Sequence, residues 1–220
     1  TNSSANRGAC IQNCRKTYIV TDKEDGHQLE IDNEYILSPK DLCTIGFLDR
    51  ILHSGINILK IEGRGRSPEY VKTTTQCYRE AADTVLEDTY NKEKVKGWMN
   101  KLQTVYNRGF WDGYYLGQKL GEWTEIHGSK ATKKKIYLGK AKKYFTKIQV
   151  AEFNLETEQL IEGDNIFITG RTTGIIETVA GEMRLNDKQV KGVKKGDNFS
   201  MKLDYAVRPR DKLYKIVNIK

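Results

Sequence analysis

The feature that most constrains this chain is a change of grain at Lys133. Beyond it come six short apolar or mixed runs, at 136–144, 148–153, 165–169, 175–180, 199–203 and 213–217. Gly163-Asp164, Gly170, Gly174, Gly181 and Gly196-Asp197 separate them. Glycine tolerates positive φ and aspartate bonds its own backbone, so these residues turn a chain. Short strands at this spacing predict a small all-β domain, a β-barrel, and a division into residues 1–129 and 130–220.

Charge divides at the same place. Residues 1–129 hold 17 Lys+Arg against 18 Asp+Glu, net −1, and residues 130–220 hold 20 against 11, net +9. A basic β-domain beside a near-neutral one suits two different partners. Lys133, Lys134, Lys135, Lys140, Lys142, Lys143 and Lys147 are interleaved with Tyr137, Tyr144 and Phe145. That mixture suits RNA phosphates and bases, or else forms a solvated lysine face. No run approaches the roughly 18 apolar residues of a membrane span, and no secretory leader opens the chain. A cytoplasmic protein with no membrane partner is expected.

Residues 1–129 read as α/β. Strands at 18–21 and 29–37, joined by 22–26, make a hairpin. Ser38-Pro39-Lys40-Asp41 reads as a helix start, with Leu42, Ile45, Leu48, Ile51 and Leu52 at helical spacing and Gly55 as the stop. Ile56, Ile58, Leu59 and Ile61 then form the pattern of a strand buried on both faces. Ser67-Pro68-Glu69 opens a helix over 68–86, with a cap, an initial proline and an acid in the first turn. A further helix covers 92–106.

Helix, buried strand, helix is the repeat of a parallel sheet. Lys60, Glu62 and Arg64 fall two apart on that strand and so share a face, which calls for a partner, a ligand or a cavity. Arg64 and Arg66 alternate with Gly63 and Gly65 at its carboxyl end, where such sheets place their sites. The same residues also suit a plain strand–helix junction with arginines in solvent. The glycine-rich aromatic stretch 109–117 either stacks bases or packs a connector against its domain.

Cys10 and Cys14 form a C-x-x-x-C in a polar, cationic segment, which suits thiolate chemistry or metal ligation. Zinc and iron–sulfur sites usually take four ligands. Cys43 and Cys77 lie in helical patterns, where cysteine is usually a small buried hydrophobe. His27, His53 and His127 show no metalloprotease spacing, although a Cys–His pair assembled in space stays open.

N-R-G-A-C-I-Q-N-C-R-K at 6–16, S-P-K-D-L-C at 38–43 and K-I-E-G-R-G-R-S at 60–67 resemble the U32 family of collagenase-like peptidases, of unassigned catalytic type. The resemblance runs over the whole chain. It implies the C-terminal half of a longer protein: part of a TIM-like α/β barrel with helices, then a translation-factor-like β-barrel. Within the family the chain looks most like members that help form 5-hydroxyuridine at the tRNA wobble position and depend on prephenate.

From that resemblance come a 4Fe–4S cluster in the intact protein, with Cys10 and Cys14 as two of its ligands, and tRNA as the partner of the basic lysines. It also implies a prephenate-like small carboxylate clamped by Arg64 and neutralised by Lys60, with Arg66 nearby. Glu62 would orient that ligand or pair with Lys60. A peptidase, as the family name implies, and an RNA-binding module without chemistry are the alternatives. The 220 residues alone are expected to be inactive.

Overall fold

The computed structural model describes residues 11, 13–31, 37–126 and 128–219. The chain divides into two compact units, Thr1–Ala131 and Thr132–Lys220. Among the described residues no helix is long and apolar enough to cross a membrane.

In the first unit Ile19–Thr21 (β1) and Gln28–Glu30 (β2) pair antiparallel, and every residue of both strands is exposed. The second strand stops short of the predicted 29–37, of which 32–36 lie outside the described residues. Asp41–Leu42 (β3) runs parallel to Phe110–Trp111 (β4), with Asp41 opposite Phe110 and Leu42 opposite Trp111. This corrects the helix expected from Ser38. The backbone N–H of Lys40 donates to Glu122, that of Asp41 to Gly109 and that of Cys43 to Trp111, so these amides are tied sideways. A 3₁₀ turn at Ile45–Phe47 leads instead into a short helix, Leu48–His53 (α1).

The buried strand expected at 58–62 is the second correction. The segment carries no strand pairing among the described residues, and Ile58 is 85% exposed. Ile56, Ile58 and Leu59 stand exposed there, and among the described residues the parallel sheet consists of the two-residue β3–β4 pair.

Pro68–Leu86 (α2) forms where its signals place it, with extended Ser67 before it and Pro68 in the first turn. Asn91 caps Lys92–Gln103 (α3) by accepting from the Lys94 N–H at 2.9 Å. Cys77 and Ala81 of α2, Trp98 and Leu102 of α3, and Ile45 and Leu48 share one core. Burying each of the larger side chains contributes roughly 2 kcal/mol. The 109–117 stretch packs this unit. Phe110 leans on the core, and Trp111 meets Tyr114 edge-on at 5.2 Å. Gly113 turns at φ 65°, where a Cβ would fall 2.7 Å from the Leu42 side chain.

The second unit is nearly all strand: Lys133–Phe145 (β5), Val150–Leu155 (β6), Gln159–Ile161 (β7), Asn165–Gly170 (β8) and Gly174–Val179 (β9). Met183–Leu185 (β10), Lys188–Val190 (β11), Gly192–Lys194 (β12), Asn198–Lys202 (β13) and Lys212–Asn218 (β14) follow. Eight of them make one antiparallel sheet in the order β11-β10-β13-β6-β5-β14-β8-β9. The ladder ends at β11 and β9 rather than closing on itself, and β7 pairs separately with β12. Leu160 of β7 and Val193 of β12 enter the same core as Leu138, Phe153, Ile166 and Leu213.

Candidate functional site

The first unit gathers its charge around Asp41, at the start of the parallel pair. Arg108 donates to it three times: its backbone N–H to Oδ2 at 3.0 Å, Nε and Nη2 to Oδ1 at 3.2 and 2.9 Å. The Arg108 Nη1 reaches the buried Ser38 hydroxyl at 3.1 Å, so that serine receives a guanidinium instead of capping a helix. Arg66 Nη2 adds a second guanidinium on Oδ1 at 3.0 Å. Two cations on one carboxylate leave the cluster net positive.

Arg66 is also framed by aromatic rings, its guanidinium carbon 4.1 Å from the centre of Tyr106 and 5.2 Å from that of Tyr70. The turn that delivers it closes through the Arg66 N–H on the Gly63 carbonyl at 3.0 Å, with Gly65 at φ 67°. A side chain at Gly65 would be strained there.

Beside this cluster lies a cavity of about 30 Å³, lined by Asp41, Cys43, Tyr70, Thr74, Tyr78 and Tyr106 among others. It has room for water but not for a ligand the size of a metabolite. The Thr74 hydroxyl, on a residue 7% exposed, finds no hydrogen-bond partner among the described residues. Tyr78 donates to the Cys43 sulfur at 3.9 Å and accepts from the Thr44 N–H at 2.9 Å. Burial raises the Cys43 and Tyr78 ionisations, so both stay protonated at neutral pH.

Of the four residues expected to hold a small ligand, Arg66 joins the Asp41 cluster. Lys60, Glu62 and Arg64 stand exposed on the 57–65 segment, and Glu62 accepts from the Arg64 backbone N–H at 2.8 Å. The shared buried face assumed for them does not exist because the strand does not. Asp41, Arg108, Tyr70 and Tyr106 were missed as partners. Asp41 falls within the quoted S-P-K-D-L-C run, which offered a signal; Arg108 had none beyond its place before Gly109.

Cys10 lies outside the described residues, and Cys14 sits half-buried on the turn Asn13–Arg15. Cys43 and Cys77 are buried in the helical core. Among the described residues no three His, Cys, Asp or Glu side chains come together to hold a metal.

On the second unit two irregularities in β5 decide where its lysines point. Register shifts occur opposite Leu213/Tyr214 and between Ala141 and Lys143. Ile136 pairs with Lys215, which pairs with buried Ile166, so its neighbours Lys135 and Tyr137 face away from the core. Tyr144 pairs with buried Ala151, so Lys143 and Phe145 face away too.

The outward residues differ in how far they are already engaged. Lys135 lies over Phe167 and Tyr214, with centroids at 5.5 and 5.2 Å. Lys140 pairs with Glu156 at 3.2 Å and Lys142 with Glu152 at 3.1 Å. The Tyr137 hydroxyl donates to Glu156 at 2.6 Å, which together with Lys140 lowers the Glu156 ionisation. Lys133, Lys134, Lys143 and Lys147 carry no ion pair to a carboxylate among the described residues.

Comparison with known proteins adds a family. The sequence model of peptidase family U32 matches residues 1–125. A collagenase of Porphyromonas gingivalis is 52% identical over 97% of this chain and 52% of its own length. An uncharacterized protease of Methanocaldococcus jannaschii is 37% identical over 96% of this chain and 52% of its own length. The tRNA hydroxylation protein P1 of Bacillus subtilis is 34% identical over 58% of this chain and 32% of its own length. The likeness to a tRNA hydroxylation protein is thus real but more distant than that to the collagenase, which corrects the order expected from the motifs. The chain spans about half the length of the first two relatives.

Proposed function

This chain belongs to peptidase family U32, and we propose that the intact protein modifies RNA, taking part in hydroxylation of tRNA uridine to 5-hydroxyuridine at the wobble position. The observation that carries this reading is the segregation of positive charge. Residues 130–220 hold 20 Lys+Arg against 11 Asp+Glu, and the outward face of their sheet sets lysines beside aromatic rings. Phosphate neutralisation of this kind dominates binding to nucleic acid. The named tRNA relative supports the same direction.

In this reading the second unit holds tRNA and the first holds a small carboxylate. Exposed Lys60 and Arg64 would meet that carboxylate, while Arg66 is committed to Asp41. Prephenate as co-substrate, and a 4Fe–4S cluster ligated in part by Cys10 and Cys14, belong to the same proposal and rest on resemblance.

A peptidase is the second reading, favoured by the identity to the collagenase. Of the described cysteines, half-buried Cys14 is the one that could serve it. Burial pushes Cys77 to about 11 and raises Cys43, and neither offers the thiolate a cysteine nucleophile needs. Nucleoside analysis of tRNA from cells lacking the protein tests the choice. Loss of the 5-hydroxyuridine family is expected. An unchanged profile, together with collagen cleavage by the purified intact protein, overturns the RNA reading.

A further inference from the structure

The second unit offers two outward aromatic groups, and only one of them is open. Tyr137, Tyr214 and Phe167 form a cross-strand ladder, with Tyr137 opposite Tyr214 and Tyr214 opposite Phe167. Lys135 covers it, Phe167 is 2% exposed, and the Tyr137 hydroxyl is held by Glu156. A base has no free ring there.

At the other end of β5 the arrangement is reversed. Phe145 pairs with Val150, which pairs with Lys202, so the three share the face turned away from the core. Phe145 is 37% exposed, and Lys143 Nζ stands 4.7 Å from its ring centre. Ile148, in the turn to β6, is 63% exposed. The chain leaving β13 is stitched to the same turn: the Leu203 N–H donates to Gln149 and the Tyr144 hydroxyl to the Leu203 carbonyl at 2.9 Å. Tyr205, two residues on, is 58% exposed. Lys142, Lys143, Lys147 and Lys202 outnumber the acids of this end, Glu152 and Asp204, and Glu152 is already paired with Lys142.

We infer that this hairpin end, with Phe145 and Tyr205 as stacking surfaces and Lys143, Lys147 and Lys202 on the phosphates, is where unpaired nucleotides of RNA dock. The inference rests on the RNA reading above and locates its contact. Charge complementarity selects the occupant: an exposed ring with an ammonium over it, on a lysine-rich edge, matches a base beside its phosphate. Every base has a π-face, so such a surface grips single strands with little regard to sequence. A duplex keeps its bases stacked and offers the rings nothing.

The test measures anisotropy of a labelled oligouridylate of about 12 nucleotides, the size of a small stacking groove, and of the same strand annealed to its complement. The intact protein is used with four variants. Phe145→Ala and Tyr205→Ala are each expected to weaken the single strand about tenfold and to leave the duplex unchanged. Lys143→Gln is expected to lower the slope of log affinity against log salt by about 0.7. Phe145→Leu, which keeps the buried side of the residue filled, guards against a folding defect and should weaken the single strand in the same sense. Wild-type binding that none of the variants alters, or equal loss on the duplex, overturns the inference while sparing the RNA reading. Failure of wild-type protein to bind the oligonucleotide or tRNA at low salt overturns both.

Discussion

Asp41 and Arg108, 67 residues apart in sequence, are joined by three hydrogen bonds, one from the Arg108 backbone and two from its guanidinium. Side-chain exposures of 14% and 21% leave the pair only partly screened by water. With Arg66 on the same carboxylate, Asp41 fastens the 57–66 segment and the approach to β4 to one point. Asp41→Asn removes the charge that balances two guanidiniums. It is expected to lower the stability of the first unit by about 2 kcal/mol, read as a fall in the urea midpoint at unchanged m-value. Arg108→Lys keeps a positive charge but loses the fork, and about 1 kcal/mol is expected for it. Wild-type stability in Asp41→Asn would mean that the cluster contributes nothing to the fold.

In the second unit Gly170 faces Asp211. A Cβ on Gly170 would lie 1.7 Å from Asp211 Oδ1. The carboxylate is 6% exposed and pinned by the Thr173 hydroxyl at 2.5 Å and the Arg208 N–H at 2.8 Å, so it has no room to withdraw. Gly170→Ala is expected to cost on the order of 3 kcal/mol. In an Asp211→Ala background the obstacle is gone, and the same change should cost at least about 1 kcal/mol less. Thermal melts of the four proteins measure that coupling; purely additive losses would count against the contact.

Cys77 gives the first unit a pH dependence. Its folded ionisation is raised from 9.0 to about 11, chiefly by burial. A group raised on folding stabilises fully below its unfolded value, and that contribution is lost as pH climbs through the folded one. The window therefore runs from about pH 9 to about pH 11, and the loss is on the order of 2 kcal/mol. Burial also raises Cys43 and Tyr78, so the measurement is a difference: urea midpoints of wild type should fall more steeply across the window than those of Cys77→Ala. Iodoacetamide at pH 8 should likewise spare Cys77 until urea exposes it.

How much of this was legible depended on whether the signal was local. The helix Pro68–Leu86 follows from Ser67, Pro68 and an apolar stripe, all within one segment. The six strands read after Lys133 each overlap an observed one, because alternation over five or more residues shows itself. Gln159–Ile161 and Gly192–Lys194 are three residues each, too short to show a period, yet they bring Leu160 and Val193 into the core. Ser38-Pro39-Lys40-Asp41 carries every local mark of a helix start and is overruled by Trp111, Gly109 and Glu122, which take its amides from a distance. The site suffered in the same way. Lys60, Glu62 and Arg64 were joined by counting two along a strand, whereas Asp41, Arg66 and Arg108 are joined by tertiary pairing that no spacing encodes.

The bulges of β5 make a final prediction about its basic run. Lys133, Lys134 and Lys135 look interchangeable in sequence, but the register separates them. Lys133 and Lys135 lie on the face that also carries Tyr137, opposite to Lys134. Lys135 has its ammonium over Phe167 and Tyr214. Lys135→Gln should therefore lower stability as well as RNA affinity, because it uncovers two rings. If tRNA follows the outward face, Lys133→Gln should reduce the slope of log affinity against log salt by up to about 0.9 while leaving the melting temperature unchanged, and Lys134→Gln should do neither. Equal effects of Lys133→Gln and Lys134→Gln would mean that the run acts as an undirected cloud of charge, and the outward face would lose its claim on the RNA.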